Sequence, residues 1–168
     1  MRNIELKAKL RDRRKAVELC NRREGFRFAG EFEQIDTYFR VSRGRFKLRV
    51  CQPGETYLVY YERENRPDIK GCDYHIEFVD PGLWEILSKA LEIVAEVKKI
   101  RTLYLWENVR IHLDRVEGLG NFLEFEAVLG EGDTEEEGFR KVEELKSLFE
   151  VGEQDLIEGS YLEMVLTS

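Results

Sequence analysis

Apolar and charged residues alternate along much of the chain, most clearly over residues 109–128. Val109, Ile111 and Leu113 alternate with Arg110, His112 and Asp114; after Gly118-Leu119-Gly120, Leu123, Phe125 and Ala127 alternate with Glu124 and Glu126. Successive side chains on a strand point to opposite faces, so this stretch predicts a hairpin with one apolar and one charged face. Similar reasoning predicts strands over 3–10, 26–41 (with a bend at Gly30), 45–50, 57–63 and 73–79, and two or three strands through Val128. Helical spacing predicts a helix over 13–23 behind an Asp12 N-cap. A second helix should start at Asp80-Pro81 and run to about Glu92. A third, over 134–149, opens on Thr134-Glu135-Glu136-Glu137, which resembles a capping box. Residues 154–157 and 161–166 read as short helical turns. Residues 64–71 are polar, contain Pro67 and read as a mobile loop. Strands in succession, with helices at only a few junctions, predict an α+β fold: an antiparallel sheet curled into a barrel, in one domain over residues 1–168.

Composition narrows the partners. The 168 residues are 42% hydrophobic and 36% charged, as expected of a folded chain, and the net charge of −7 argues against binding a nucleic-acid polymer. The acid is concentrated in residues 131–158, and most Lys and Arg precede residue 115. A locally basic site in an acidic protein suits a small polyanion. The three cysteines, Cys20, Cys51 and Cys72, fit free thiols in a reducing compartment. The N-terminal residues are charged and alternating, unlike a signal peptide, and no run is long enough to span a membrane. The expectation is a cytoplasmic protein with no membrane partner. The two histidines, His75 and His112, have no Cys partner at zinc-ligand spacing.

The charged strand faces carry the candidate chemistry. They hold Lys7, Lys9, Arg45, Lys47, Arg49, Arg63, Lys99, Arg101 and Arg110 against Glu5, Asp114, Glu124 and Glu126. A charged face is ordinarily a solvated one. Here, however, Arg45, Lys47 and Arg49 repeat one sign along a single strand, which is unfavourable unless an anion sits among them. Turned into a barrel, these cations could neutralise a triphosphate of roughly four negative charges. Glu124 and Glu126 point the same way and could share Mg²⁺ or Mn²⁺. Adjacent carboxylates on one strand do not flank a substrate as a glycosidase pair must. His112 reads equally as a base or as a hydrogen-bonded structural residue, and Gly118-Leu119-Gly120 lacks the Lys-Ser/Thr of a phosphate loop.

With these residues assembled, the chain resembles the CYTH family, the triphosphate tunnel metalloenzymes that include class IV adenylyl cyclases and thiamine triphosphatases. The resemblance rests on Ile4-Glu5-Leu6-Lys7, Gln34-Ile35-Asp36-Thr37-Tyr38-Phe39, Gly44-Arg45-Phe46-Lys47-Leu48-Arg49, and Tyr61-Glu62-Arg63. It continues in Lys99-Ile100-Arg101, Arg110-Ile111-His112-Leu113-Asp114, residues 118–126 and Gly159-Ser160-Tyr161. It implies an eight-stranded antiparallel tunnel with flanking helices. Metal binding would fall to Glu5, Glu124 and Glu126 with Asp114. Phosphate binding would fall to Lys7, Lys47, Arg49, Arg63, Lys99, Arg101 and Arg110, with Lys9 and Arg45 as further cations on the same faces. Glu5, Lys7, Glu124 and Glu126 would carry the chemistry. One departure stands out: the family's opening Glu-x-Glu-x-Lys has Asn3 in place of its first Glu, which puts a second metal ion in doubt.

The leading expectation is a metal-dependent hydrolase of a small triphosphate such as tripolyphosphate, thiamine triphosphate or a nucleoside triphosphate. Class IV adenylyl cyclase is the near alternative, because a ribose 3′-hydroxyl in place of water would cyclise a nucleotide at the same site; the strand faces reveal no base pocket, which favours hydrolysis. A non-catalytic triphosphate or polyphosphate binder is a second alternative, and an acidic interaction protein using the helix near residues 135–150 a third. The oligomeric state is open, a homodimer included.

Overall fold

The computed structural model describes residues 1–64 and 66–168. Eight strands close into an antiparallel barrel: β1 (Arg2–Lys9), β2 (Arg27–Phe39), β3 (Arg45–Gln52), β4 (Thr56–Arg63), β5 (Lys70–Phe78), β6 (Ile93–Trp106), β7 (Val109–Val116) and β8 (Gly120–Leu129). Their order around the wall is β1-β5-β4-β3-β2-β6-β7-β8. The N-terminal strand closes the barrel by pairing with β5 on one side and β8 on the other. Four helices flank it: α1 (Arg13–Arg22), α2 (Leu83–Ala90), α3 (Glu135–Leu148) and α4 (Tyr161–Thr167).

The alternation places the apolar set outside the barrel and much of the charged set inside. Ile4, Leu6, Ala8, Ile111, Leu113, Leu123 and Phe125 face outward and join Ala16 and Cys20 of α1 and Val142 and Leu145 of α3 in the main apolar core. Helices therefore cover the greasy outer face of this part of the wall, which frees its inner face for charge. The fit is close at Gly138 of α3, where a Cβ would lie 2.9 Å from Ile4 Cγ1. Both predicted N-caps hold: Asp12 accepts from Lys15 N at 3.0 Å and Thr134 from Glu137 N at 3.2 Å. The bend at Gly30 is a register shift in the β2–β6 ladder, with Gly30 at φ +146°.

Several predicted boundaries move. Helix α2 runs Leu83–Ala90, starting after Pro81 and ending two residues short of Glu92. Strand β5 begins at Lys70 and not at Asp73, because Lys70, Gly71 and Cys72 pair with Glu5, Ile4 and Asn3 of β1. The end of the predicted mobile loop is therefore sheet. Lys70 is fully buried, its Nζ donating to the carbonyls of Arg66 (2.8 Å) and Glu158 (3.0 Å). Asn65, in the same predicted loop, lies outside the described residues. Among the described residues no helix is long and apolar enough to cross a membrane.

Candidate active site

A cavity of about 550 Å³ occupies the barrel. Its two opposed walls differ in charge.

On β2, β3 and β6 the wall is built around one carboxylate. Asp36 is wholly buried. Arg49 holds it with two bonds of 2.6 and 2.7 Å, Lys47 lies at 3.0 Å and Lys99 at 2.9 Å. Burial alone would raise the Asp36 carboxyl, but the charges of Arg49, Lys47 and Lys99 outweigh it and hold it well below the usual carboxylate range. Beside this group, Arg101 grips Asp114 through two bonds of 2.8 and 2.7 Å, and the Tyr161 hydroxyl donates to Asp114 at 2.7 Å.

On β1, β7 and β8 the wall is acidic. Cross-strand register sets Glu5 beside Glu126, Lys7 beside Glu124, and His112 beside Glu124. Lys7 Nζ lies 2.8 Å from Glu124 Oε2 and Arg63 donates to Glu5 at 3.0 Å. His112 Nδ1 is 3.3 Å from Glu124 Oε1 and 3.9 Å from Glu126 Oε1. Glu124 stays ionised: burial works against it, but the Lys7 charge and the His112 hydrogen bond prevail. Glu126 is pushed well above the usual range by burial and by the negative charges of Glu124 and Glu5. Burial and the nearby Arg101 charge lower His112 to about 4, so it is a neutral imidazole near neutral pH.

The two ends of the cavity also differ. At one end Tyr161 and Leu162 of α4 pack on Tyr38, Val97, Val116 and Phe122 and form a floor, with the Lys7 ammonium 3.8 Å above the Tyr161 ring. Ser160 and Glu163 fasten α4 through a capping box, and Glu163 also pairs with Arg45. Toward the other end the lining is largely apolar: Phe32, Tyr57, Ile76, Phe78, Leu103 and Leu105. Phe78 is 64% exposed and meets Tyr57 edge-on at 5.6 Å.

The structure therefore sorts the sequence-predicted residues. Glu5, Lys7, Lys47, Arg49, Arg63, Arg101, Arg110, Glu124 and Glu126 line the cavity. Lys9, exposed at the end of β1, and Arg45, held by Glu163 of α4, do not. Lys99 is buried behind the lining on Asp36. Asp114, on the inward face of β7 with Arg110 and His112, lies behind the lining and is paired with Arg101 and Tyr161. Sequence reasoning missed Asp36 as an interior charge and the apolar mouth altogether. The mouth had a signal, since Tyr57-Leu58-Val59-Tyr60-Tyr61 is apolar or aromatic on both faces of β4 and cannot all face an outer core. With Asp36 counted and Lys9 and Arg45 removed, the interior holds seven of the expected cations (Lys7, Lys47, Arg49, Arg63, Lys99, Arg101, Arg110) against five carboxylates (Glu5, Asp36, Asp114, Glu124, Glu126).

A closed antiparallel barrel whose inner face carries opposed cationic and carboxylate walls defines the triphosphate-tunnel class of proteins. Residues 1–161 match the CYTH domain, and the chain belongs to that family. Over 98% of both chains it is 28% identical to a Methanocaldococcus jannaschii protein named "Putative adenylate cyclase MJ0240". Among solved structures it is similar to a conserved hypothetical protein from Pyrococcus furiosus (26% identity, TM-score 0.83). It is likewise similar to the PH1012 protein from Pyrococcus horikoshii OT3 (27% identity, TM-score 0.80). Each comparison covers 96% of this chain and 98% of the other.

Proposed function

We propose that the protein is a divalent-metal-dependent enzyme that binds a small organic triphosphate in the barrel and hydrolyses it. The observation that carries this reading is one cavity lined by both charge types: Lys47, Arg49 and Arg101 on one side, and Glu5, Glu124 and Glu126 on the other, with Arg63 bonded to Glu5.

The donor set fits a cation. Donor atoms of His112, Glu124 and Glu126 lie within 4.8 Å of one another, and Glu126 is raised by neighbours whose repulsion a cation would relieve. Glu5, Glu124 and Glu126 would hold Mg²⁺ or Mn²⁺. When bound there, the ion supplies two positive charges and polarises a phosphoryl oxygen. Basic side chains outnumber carboxylates in the interior, a bias that suits a polyanion and to which a bound divalent ion would add.

Arg49 and Arg101, held along one edge by Asp36 and Asp114, would offer their remaining guanidinium N–H groups to phosphate oxygens together with Arg63, and Lys7 and Lys47 would act as point charges. Tyr161 and Leu162 limit how deep the phosphate chain can go and keep bulk water off that end. Phe32, Tyr57 and Phe78 would take the organic group by stacking and apolar contact, which inorganic tripolyphosphate lacks. Attack by water on the terminal phosphorus breaks its bond to the bridging oxygen and yields orthophosphate and an organic diphosphate. Such chemistry needs positioning and electrostatic stabilisation more than a covalent partner.

A second reading, class IV adenylyl cyclase, is favoured by the same apolar mouth and by the name of the archaeal relative. In it a ribose 3′-hydroxyl attacks the innermost phosphorus, forming cyclic AMP and releasing pyrophosphate. Phosphorus NMR of the protein with Mg²⁺ or Mn²⁺ and, separately, ATP, thiamine triphosphate and tripolyphosphate separates the cases. Orthophosphate with an organic diphosphate supports hydrolysis, and pyrophosphate with cyclic AMP supports the cyclase. Tight binding without turnover would overturn both in favour of a binding protein.

A further inference from the structure

We propose that His112 is itself a metal ligand, so that this barrel holds its cation through one imidazole nitrogen and the Glu124 and Glu126 carboxylates, and prefers first-row transition ions such as Zn²⁺ or Co²⁺ to Mg²⁺. The inference rests on the metal-dependent reading above, puts His112 in place of Glu5 among the ligands there, and replaces Mg²⁺ as the preferred ion.

The geometry comes from register. His112 lies opposite Glu124 across the β7–β8 ladder, and Glu126 is the next residue on the same face of β8. That places Nδ1 at 3.3 Å from Glu124 Oε1 and 3.9 Å from Glu126 Oε1. Three donor atoms within 4.8 Å of one another can converge on an ion at ordinary bond lengths of roughly 2 Å after small side-chain rotations. Lys7 occupies Glu124 Oε2, which leaves Oε1 on the imidazole side. All three residues line the cavity, so an ion has a route in.

A second observation points to a ligand at the same wall. Asn3 is 4% exposed, lines the cavity, and its Oδ1 has no hydrogen-bond partner. Asn3 sits two residues before Glu5 on one face of β1, next to the strand that carries Glu124 and Glu126. A buried acceptor without a donor costs about 1–3 kcal/mol and is normally satisfied by water or an ion. The wall thus presents carboxylate, imidazole and amide donors together. Mg²⁺ favours an all-oxygen, largely hydrated octahedron, whereas an imidazole suits Zn²⁺ and its first-row neighbours. The three ligands come from two strands paired through a hairpin, which is why no metal-ligand spacing appears in the sequence.

The test uses full-length protein labelled with ¹⁵N-histidine. The chain has only two histidines, and His75 is exposed on the outer wall, so the signals separate. Zinc alone, as Zn²⁺, should move the His112 Nδ1 resonance into the range of metal-bound imidazole, leave His75 in place, and have no counterpart with Mg²⁺. By calorimetry Zn²⁺ should bind at least ~10-fold more tightly than Mg²⁺, and His112→Asn should weaken Zn²⁺ by at least ~10-fold while changing Mg²⁺ less than ~3-fold. The wild-type spectrum decides the question even where the variant folds poorly. An unshifted Nδ1 with Zn²⁺ bound would overturn the inference and leave His112 a hydrogen-bond partner of Glu124. Turnover with Mg²⁺ in that event would keep the proposed function. Zinc on Nδ1 without turnover of any triphosphate would leave the inference standing and overturn the function.

Discussion

The two charged walls of the barrel answer burial in opposite ways. On the β2–β3–β6 side, Asp36 is surrounded by Arg49, Lys47 and Lys99 and is held ionised. On the β1–β7–β8 side, Glu5, Glu124 and Glu126 crowd together, and Glu126 is driven toward its protonated form. One wall gathers three cations on a single carboxylate, which ties their side chains in place and leaves an excess of positive groups. The other brings three carboxylates together, so that one of them, Glu126, is disfavoured as an anion. Buried charge of one kind keeps the shape, while buried charge of the other kind is where chemistry can occur.

Removing one carboxylate from each wall should separate them. Asp36→Asn leaves three buried cations without their counter-anion, and thermal or urea unfolding should show a loss of about 3–5 kcal/mol. A loss below about 1 kcal/mol would mean that the cations relax to water and that the wall is not self-supporting. Glu126→Gln, by contrast, removes a repulsive group. It should leave the unfolding midpoint unchanged or raised, yet reduce turnover about 100- to 1,000-fold, equivalent to about 3–4 kcal/mol, with triphosphate affinity retained. Affinity and turnover falling together would place Glu126 in ligand binding alone.

Acid stability sharpens the contrast next. The imidazole of His112 accepts a proton near 6.5 when unfolded and near 4 in the barrel. Between those values the unfolded chain binds more protons, so this contribution is full above pH 6.5 and is lost as pH falls through 4. It amounts to at most about 3 kcal/mol. Glu126, raised by its neighbours, works in the opposite direction over part of the same window. The readout is therefore the difference between wild type and His112→Asn in melting temperature against pH. Parallel curves would show that His112 is not the titrating group.

The smallest effect belongs to the mouth. Phe78 is largely exposed and packs edge-on against Tyr57. Phe78→Ala should raise KM for ATP or thiamine triphosphate about fivefold, close to 1 kcal/mol, and leave tripolyphosphate untouched. An equal change for all three would remove the mouth from substrate recognition.

Much of this architecture was readable because a strand has a period of two. Glu5 and Lys7, Lys47 and Arg49, and Glu124 and Glu126 each stand two apart, so their shared face followed from the sequence. What a period cannot say is where along a strand the barrel ends. Lys9 and Arg45 share a face with lining residues but lie beyond the cavity. Asp36 was hidden for another reason: its neighbours on that face, Gln34 and Tyr38, are uncharged, so β2 shows no alternation of charge. Its three partners come from β3 and β6, and only the closed sheet brings them together. Asp114 has the interior face the sequence assigns it, and Arg101, opposite it across the β6–β7 ladder, pairs with it there. Lys70 was placed in a loop because Pro67 and the polar run hide three residues of sheet pairing.

The α4 floor has a kinetic consequence. Tyr161 and Leu162 pack across one end of the barrel, and the cavity lining turns apolar toward the other. Under the proposed hydrolysis, traffic in such a vessel would be last in, first out: a phosphate fragment released at depth would leave after the piece carrying the organic group, and that outer product would inhibit by standing in its path.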